Sequence, residues 1–150
     1  QNDLLELYLL LRSSRQDSLE LVRYGKALWL QRQRSHAAAF DTLAALLAGS
    51  RPGALAERAR FLQVDLLRTM GRFPEALVIS AALAADSSGL APDFALMTMA
   101  GLHEELKEPE KARQLYESFL EKYPESIYIE QVGVTSAVLK RGAGDAFRER

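Results

Sequence analysis

The sequence predicts an all-α fold in which about eight helices pair into antiparallel hairpins. Ala, Leu, Arg and Glu dominate the 150 residues and Pro is scarce, a composition that favours helix. Apolar residues recur at helical spacing, and no segment shows the alternation of a strand. Short breaks rich in Ser, Gly or Pro divide the chain into segments of helical length. These three observations together indicate a chain of packed helices.

The clearest helical segment contains Ala112, Tyr116 and Phe119, at steps of four and seven, followed by Pro124. On a helix these steps return to one face, so the three side chains form a stripe that a second helix can cover. Ala112 lets the partner helix approach closely, and Pro124 ends the helix. The segment therefore predicts one half of a helical hairpin.

The same reasoning places the other elements in order along the chain. The predicted helices span residues 3–12, 17–32, 35–48, 54–70, 74–85, 92–107, 109–122 and 127–140. We interpret residues 1–150 as a single domain with no internal boundary. It comprises a leading helix within 1–16 that is half of a truncated repeat, three repeats at 17–52, 53–90 and 91–125, a capping helix at 126–141 and a loose polar tail at 142–150.

Fainter copies of the Ala112 stripe occur upstream. Before Ala76, Gly71 suits the end of one helix and Pro74 suits the first position of the next, so that Ala76 begins a close-packed stripe. A weaker match makes Ala37 the first residue of a third stripe. The three anchors Ala37, Ala76 and Ala112 are 39 and 36 residues apart. This recurrence predicts three helical hairpins of similar length.

Residues 18–126 resemble tetratricopeptide repeats, whose period is about 34 residues. The eight signature positions of the third repeat hold Leu96, Met99, Ala100, His103, Ala112, Tyr116, Phe119 and Pro124. Among them Leu96 takes the place of the usual Trp, and His103 takes that of the usual Tyr. The second keeps Gly71 and Ala76 and has Val64, Leu67, Ser80 and Leu83 at other signature positions. The first keeps Gly25 and Ala37 but has Asp41 where an aromatic residue is usual. The resemblance implies a right-handed α-solenoid and a protein-binding role.

The ending of the third repeat resembles a motif that is frequent in repeat proteins of the bacterial cell envelope. It consists of Phe119, Tyr123, Pro124 and Ser126. This resemblance implies a periplasmic or outer-membrane-associated protein. The chain itself contains no signal peptide, and the apolar run 4–11 is too short to cross a bilayer.

In the family the first helices of successive repeats line a concave groove. The family's groove positions correspond here to Leu19, Val22, Lys26, Trp29, Arg58, Phe61, Asp65, Arg68, Phe94, Met97, Gly101, Glu104 and Glu105. The chaperone-tail clamp of some family members needs Lys and Asn at set groove positions. Those positions hold Val22 and Lys26, Phe61 and Asp65, and Met97 and Gly101 here, so the clamp is absent. The resemblance thus implies a groove for an apolar or amphipathic peptide or helix. The alternative is that the same surfaces serve self-association, as in a homodimer, or contact with the rest of a larger envelope protein.

Charge and chemistry exclude other classes of function. A formal net charge of −1 excludes a generally basic nucleic-acid binder, although residues 12–34 carry +4 and residues 86–130 carry −6. The chain has no Cys, and His36 and His103 belong to different repeats. The sequence lacks a helical zinc motif and a phosphate-binding loop. We therefore predict a protein that is not an enzyme, holds no metal or cofactor, binds no nucleic acid and does not insert into membranes.

Overall fold

The computed structural model describes residues 18–148, with side chains placed for residues 19–142. Within this range the chain forms helices and no strand, which confirms the predicted all-α fold class. The helices are α1 (Ser18–Arg32), α2 (His36–Gly49), α3 (Ala54–Thr69), α4 (Phe73–Ala85), α5 (Pro92–Glu105), α6 (Pro109–Lys122) and α7 (Ile129–Arg148). Their ends lie within two residues of the predicted ones, except at the end of α7. The predicted leading helix, 3–12, lies outside the described residues.

The last helix is longer than the sequence suggests. We predict a helix ending at residue 140 and a loose tail from 142, whereas α7 continues to Arg148. The prediction of a tail is therefore wrong for residues 142–148, while residues 149–150 lie outside the described range. Glycine disfavours a helix by only about 1 kcal/mol relative to Ala, which lowers its stability without ending it. No proline follows to stop the helix.

The chain divides into two compact units, residues 1–72 and residues 73–150. The division falls inside the predicted second repeat, so that α3 belongs to the first unit and α4 to the second. We describe the two units separately.

In the first unit α1 packs on α2 and α2 packs on α3, with a smaller contact between α1 and α3. One buried cluster of this unit contains side chains that are completely buried: Ala27, Ala39, Leu43, Leu46, Ala59 and Leu66. Three of them belong to α2 and have the same four- and seven-residue steps as the Ala112 stripe. Burial of this stripe holds α2 between its two neighbours.

This core corrects the register of the first repeat. Ala37 and Asp41 are exposed, so Ala37 is not the close-packed anchor that we predict from the sequence. The anchor is Ala39, which is fully buried. Ala37, Ala38 and Ala39 are consecutive, and a run of identical small residues cannot show which of them faces the neighbouring helix. Only packing selects one of the three.

In the second unit each helix packs on the next one along the chain, from α4 to α7. The buried cluster contains Leu96, Ala100, Ala112, Tyr116, Phe119 and Val132. The Ala112 stripe is therefore buried, as predicted. Val132 brings α7 into the same cluster, and Lys140 Nζ lies 3.0 Å from Glu117 Oε1 of α6. The last helix thus packs on α6.

With the corrected register the repeats become nearly uniform. The anchors Ala39, Ala76 and Ala112 are 37 and 36 residues apart, and all are fully buried. Each is followed at steps of four and seven by a buried residue; in α4 these are Ser80 and Leu83. The structure therefore has the regularity of a helical repeat in each unit.

The turn that ends each first helix repeats at the same interval. Arg34, Gly71 and Lys107 have φ values of 60°, 72° and 60°. The amide of the following residue donates to a carbonyl five residues earlier, at 3.0 Å (residue 35 to Leu30), 2.8 Å (residue 72 to Leu67) and 2.9 Å (residue 108 to His103). This is the Schellman arrangement of a helix C-terminus. It fixes where each first helix stops.

Candidate partner-binding surface

The predicted groove residues of the second repeat form one stripe along α3. Arg58 and Phe61 are half-buried, and Asp65 and Arg68 are exposed. Gln31 of α1 donates from Nε2 to Asp65 Oδ2 at 2.9 Å. This hydrogen bond places the stripe of α3 beside α1. The result is a surface with an aromatic centre and charges along its length.

The corrected register changes which residues of α1 match this stripe. A shift of 37 residues from Arg58, Phe61, Asp65 and Arg68 leads to Leu21, Tyr24, Leu28 and Gln31. All four of these residues of α1 are half-buried. Gln31 is also the residue that bonds to Asp65. The α1 part of the surface therefore consists of these residues, which the sequence interpretation missed.

The residues predicted for α1 lie on another face of that helix. Leu19, Val22, Lys26 and Trp29 are exposed. Val22 and Gln31 are nine residues apart, which corresponds to about 180° around a helix. The predicted α1 residues and the Asp65 contact are therefore on roughly opposite sides of α1. The error follows directly from using Ala37 as the anchor.

In the second unit, the stripe predicted on α5 is in the same register as that on α3. Phe94, Met97, Gly101 and Glu104 follow the α3 residues by 36 positions, and all four are half-buried. The ring of Phe94 lies 5.5 Å from that of Tyr128, at a tilt of 43°. Met97 packs against the buried cluster of this unit. Both side chains thus contribute to the packing of the unit and expose only part of their surface.

The acidic end of the α5 stripe is partly engaged in internal contacts. Tyr116 donates from its hydroxyl to Glu104 Oε1 at 2.5 Å. An added Cβ at Gly101 would lie 4.0 Å from the same hydroxyl, an ordinary contact distance. Glu104 therefore holds Tyr116 as well as facing the surface. Glu105 is exposed.

A polar cluster surrounds the start of α6. His103 Nδ1 lies 2.6 Å from Glu108 Oε2, and Lys111 Nζ donates to Glu108 Oε1 at 2.8 Å. The hydrogen bond from Lys111, followed by the contact with His103, lowers the pKa of Glu108. His103 is only 15% exposed and ties the end of α5 to the start of α6. This arrangement joins two helices.

The acidic side chains and histidines of the described residues are not clustered as metal ligands. No group of three His, Cys, Asp or Glu side chains within them could hold a metal ion. A depression of about 310 Å³ is lined by Glu104, Lys107, Pro109 and Leu139. Its two charged groups, Glu104 and Lys107, have opposite sign.

The turns that end the first helices locate the missed residues of α1. Gly71 marks the left-handed turn after α3, and the equivalent turns after α1 and α5 contain Arg34 and Lys107. Counting back from these turns gives the correct register for all three first helices. Because two of the turns lack glycine, their positions are visible only in the structure.

The chain matches no protein-family model, and no curated protein is significantly similar to it. None of the described helices has both the length and the apolar character that a membrane span requires.

Proposed function

We propose that the chain is a protein-interaction module of the tetratricopeptide type that binds an amphipathic peptide or helix and performs no catalysis. The surface that binds it is formed by the first-helix stripes of the first unit, Leu21, Tyr24, Leu28 and Gln31 of α1 and Arg58, Phe61, Asp65 and Arg68 of α3. The observation that carries the proposal is the hydrogen bond between Gln31 and Asp65, which joins the two stripes side by side.

The composition of this surface favours a helical ligand. Leu21, Tyr24, Leu28 and Phe61 provide partly exposed apolar area, and a bound helix would contact them through residues at i, i+3 or i+4, and i+7. Arg58, Asp65 and Arg68 add both signs of charge, which orient a ligand more than they strengthen its binding. Phe61 is the aromatic residue of the α3 stripe. Aromatic residues often contribute most of the binding energy of an interface.

A peptide library displayed against the full chain tests the proposal. We expect enrichment of sequences with apolar residues at helical spacing. The Phe61→Ala variant should then bind a selected peptide roughly 10-fold more weakly, since hot-spot truncations cost at least about 1–2 kcal/mol. Fluorescence anisotropy of the labelled peptide measures the dissociation constant.

The matched control is Val78→Ala, which truncates a side chain of α4 that is 72% exposed and lies outside the surface. Its affinity for the peptide should equal that of the wild type. Melting curves of both variants confirm that each is folded. Failure of the library to enrich any sequence, or equal binding by the Phe61→Ala variant, would reject the proposal. Light scattering tests the alternative, because a self-association module would dimerise with increasing concentration.

A further inference from the structure

The first helices of the first unit end in a group of arginines. The group, which we refer to as the arginine cluster, consists of Arg32 and Arg34 at the end of α1 and of Arg68 and Arg72 at the end of α3. All four side chains are exposed. Residues 31–41 and 65–72 contain these four arginines and two acidic residues, Asp41 and Asp65, which leaves a net charge of +2. This end of the unit is therefore basic.

Packing brings the two helix ends together. Both α1 and α3 pack on α2 through connections of only a few residues, so both run antiparallel to it and end on the same side of the unit. Close to these ends, Gln31 Nε2 donates to Asp65 Oδ2 at 2.9 Å. The guanidinium carbon of Arg72 lies 5.4 Å from the centre of the Phe40 ring, near the start of α2. Arg72 thus reaches the part of α2 that follows the turn at Arg34.

The turn itself does not require this positive charge. The turns after α1, α3 and α5 share their left-handed residue and their hydrogen bonds. In the 36-residue register, Arg68 and Arg72 correspond to Glu104 and Glu108 at the end of α5. The same turn therefore forms with acidic side chains at these positions. Helix termination does not explain why the first unit has arginines there.

Arg34 stands at a position that favours glycine. Its φ is 60°, and the equivalent residue after α3 is Gly71, with a φ of 72°. A residue with a Cβ is strained in this region, and strained residues concentrate at functional sites. Arg34 retains its positive charge although glycine would relieve the strain.

We propose that the arginine cluster binds acidic side chains at one end of the peptide or helix that the first-unit surface holds. The inference rests on the proposed function, because the cluster continues the stripes of α1 and α3. An arginine guanidinium can bind a carboxylate through two parallel hydrogen bonds, a geometry that lysine lacks. Exposed charges at the edge of an interface fix the orientation of a ligand and accelerate its association. The partner is thus an apolar helical face followed by several Asp or Glu residues.

Peptides selected on the full chain test the charge preference. Among sequences with apolar residues at helical spacing, we expect those with Asp or Glu at one end to be enriched over those with Lys or Arg. Replacing the acidic residues of a selected peptide by Asn or Gln should weaken its binding at least about 10-fold at about 0.05 M salt. The difference should shrink at about 0.5 M salt, because ions screen exposed charges.

The variants Arg34→Gly and Lys107→Gly form a matched pair. Each removes a basic residue with a φ of 60°, so both should be at least as stable as the wild type. Arg34→Gly should weaken the acidic peptide about 3-fold and leave the binding of the neutralised peptide unchanged. Arg34→Gly combined with Arg72→Gln should weaken the acidic peptide at least about 10-fold. Lys107→Gly, at the equivalent turn of the second unit, should leave the binding of both peptides unchanged.

Three results would overturn the inference: equal binding of the acidic and neutralised peptides, equal affinity of Arg34→Gly and Lys107→Gly for the acidic peptide, or enrichment of basic peptides. The Phe61→Ala variant distinguishes these failures from a failure of the proposed function. If it still weakens the selected peptide, the binding surface stands without the arginine cluster. If no peptide is enriched, both proposals are rejected.

Discussion

The left-handed turns after α1, α3 and α5 lead to a quantitative prediction about stability. Arg34 and Lys107 have φ values of 60°, a region in which a residue with a Cβ is strained by about 1–2 kcal/mol. Glycine avoids this strain but loses about 0.5–1 kcal/mol through its greater freedom in the unfolded chain. Lys107→Gly should therefore stabilise the protein by a net amount of about 0.5–1 kcal/mol. Arg34→Gly should do the same.

The reverse substitution at the equivalent position should be destabilising. Gly71 has a φ of 72°, and an added Cβ would meet no atom within 4 Å. Gly71→Ala should therefore cost about 0.5–1 kcal/mol through its backbone conformation alone. Urea unfolding followed by circular dichroism measures these changes. With an m value of about 2 kcal/mol/M they correspond to shifts of roughly 0.25–0.5 M in the midpoint.

The Lys107→Ala variant distinguishes the effect of backbone conformation on stability from the effect of charge. Alanine removes the ammonium group but retains the Cβ, so it should keep most of the strain and leave the midpoint close to that of the wild type. A midpoint that rises equally for Lys107→Ala and Lys107→Gly would show that charge, and not φ, controls the effect. A fall in stability for Lys107→Gly would refute the reasoning.

Three further predictions concern the core and the polar cluster. Phe119→Ala should destabilise by about 3–5 kcal/mol because the ring is fully buried, whereas Ile127→Ala, at an exposed side chain, should change the free energy of unfolding by less than about 0.5 kcal/mol. Ala39→Trp should overpack the α2 contact and cost at least about 1–3 kcal/mol, while Ala37→Trp should be nearly neutral; equal effects in thermal melts would contradict the corrected register. Because the pKa of Glu108 is lowered from its usual value near 4.5, the stability it contributes is present above that pH and is lost as the pH falls through the lowered pKa. Melting temperatures of the wild type and Glu108→Gln should therefore differ at pH 7 and converge in acid, and a constant difference would exclude the role assigned to this carboxylate.

Much of the local structure could be predicted from the sequence. Helix ends are marked by residues that act within one turn of the chain, such as Pro92, Pro109 and the segment 49–53. The stripes at Ala76 and Ala112 could also be read directly, because each contains one small residue among larger ones at helical spacing. At these places local propensity and periodicity are enough to predict the structure, because no neighbouring residue fits the same role.

The candidate site could be predicted only in part. The stripes on α3 and α5 have the register that the sequence indicates, but that on α1 does not. In the sequence, three consecutive alanines, Ala37 to Ala39, fit the anchor position equally well. An error of two residues rotates the assigned helix face by about 200°. The residues of α1 that lie beside the α3 stripe could be assigned only from the burial of Ala39.

By itself the sequence determined that this chain is helical, where most of its helices begin and end, and which residues pack in its last hairpin. The tertiary structure decided the face that α1 presents to α3, and it also revealed the left-handed turns at Arg34 and Lys107. Helix boundaries depend on interactions between near neighbours. The orientation of a helix depends on which side chains a distant segment buries, and a run of small residues does not encode that choice.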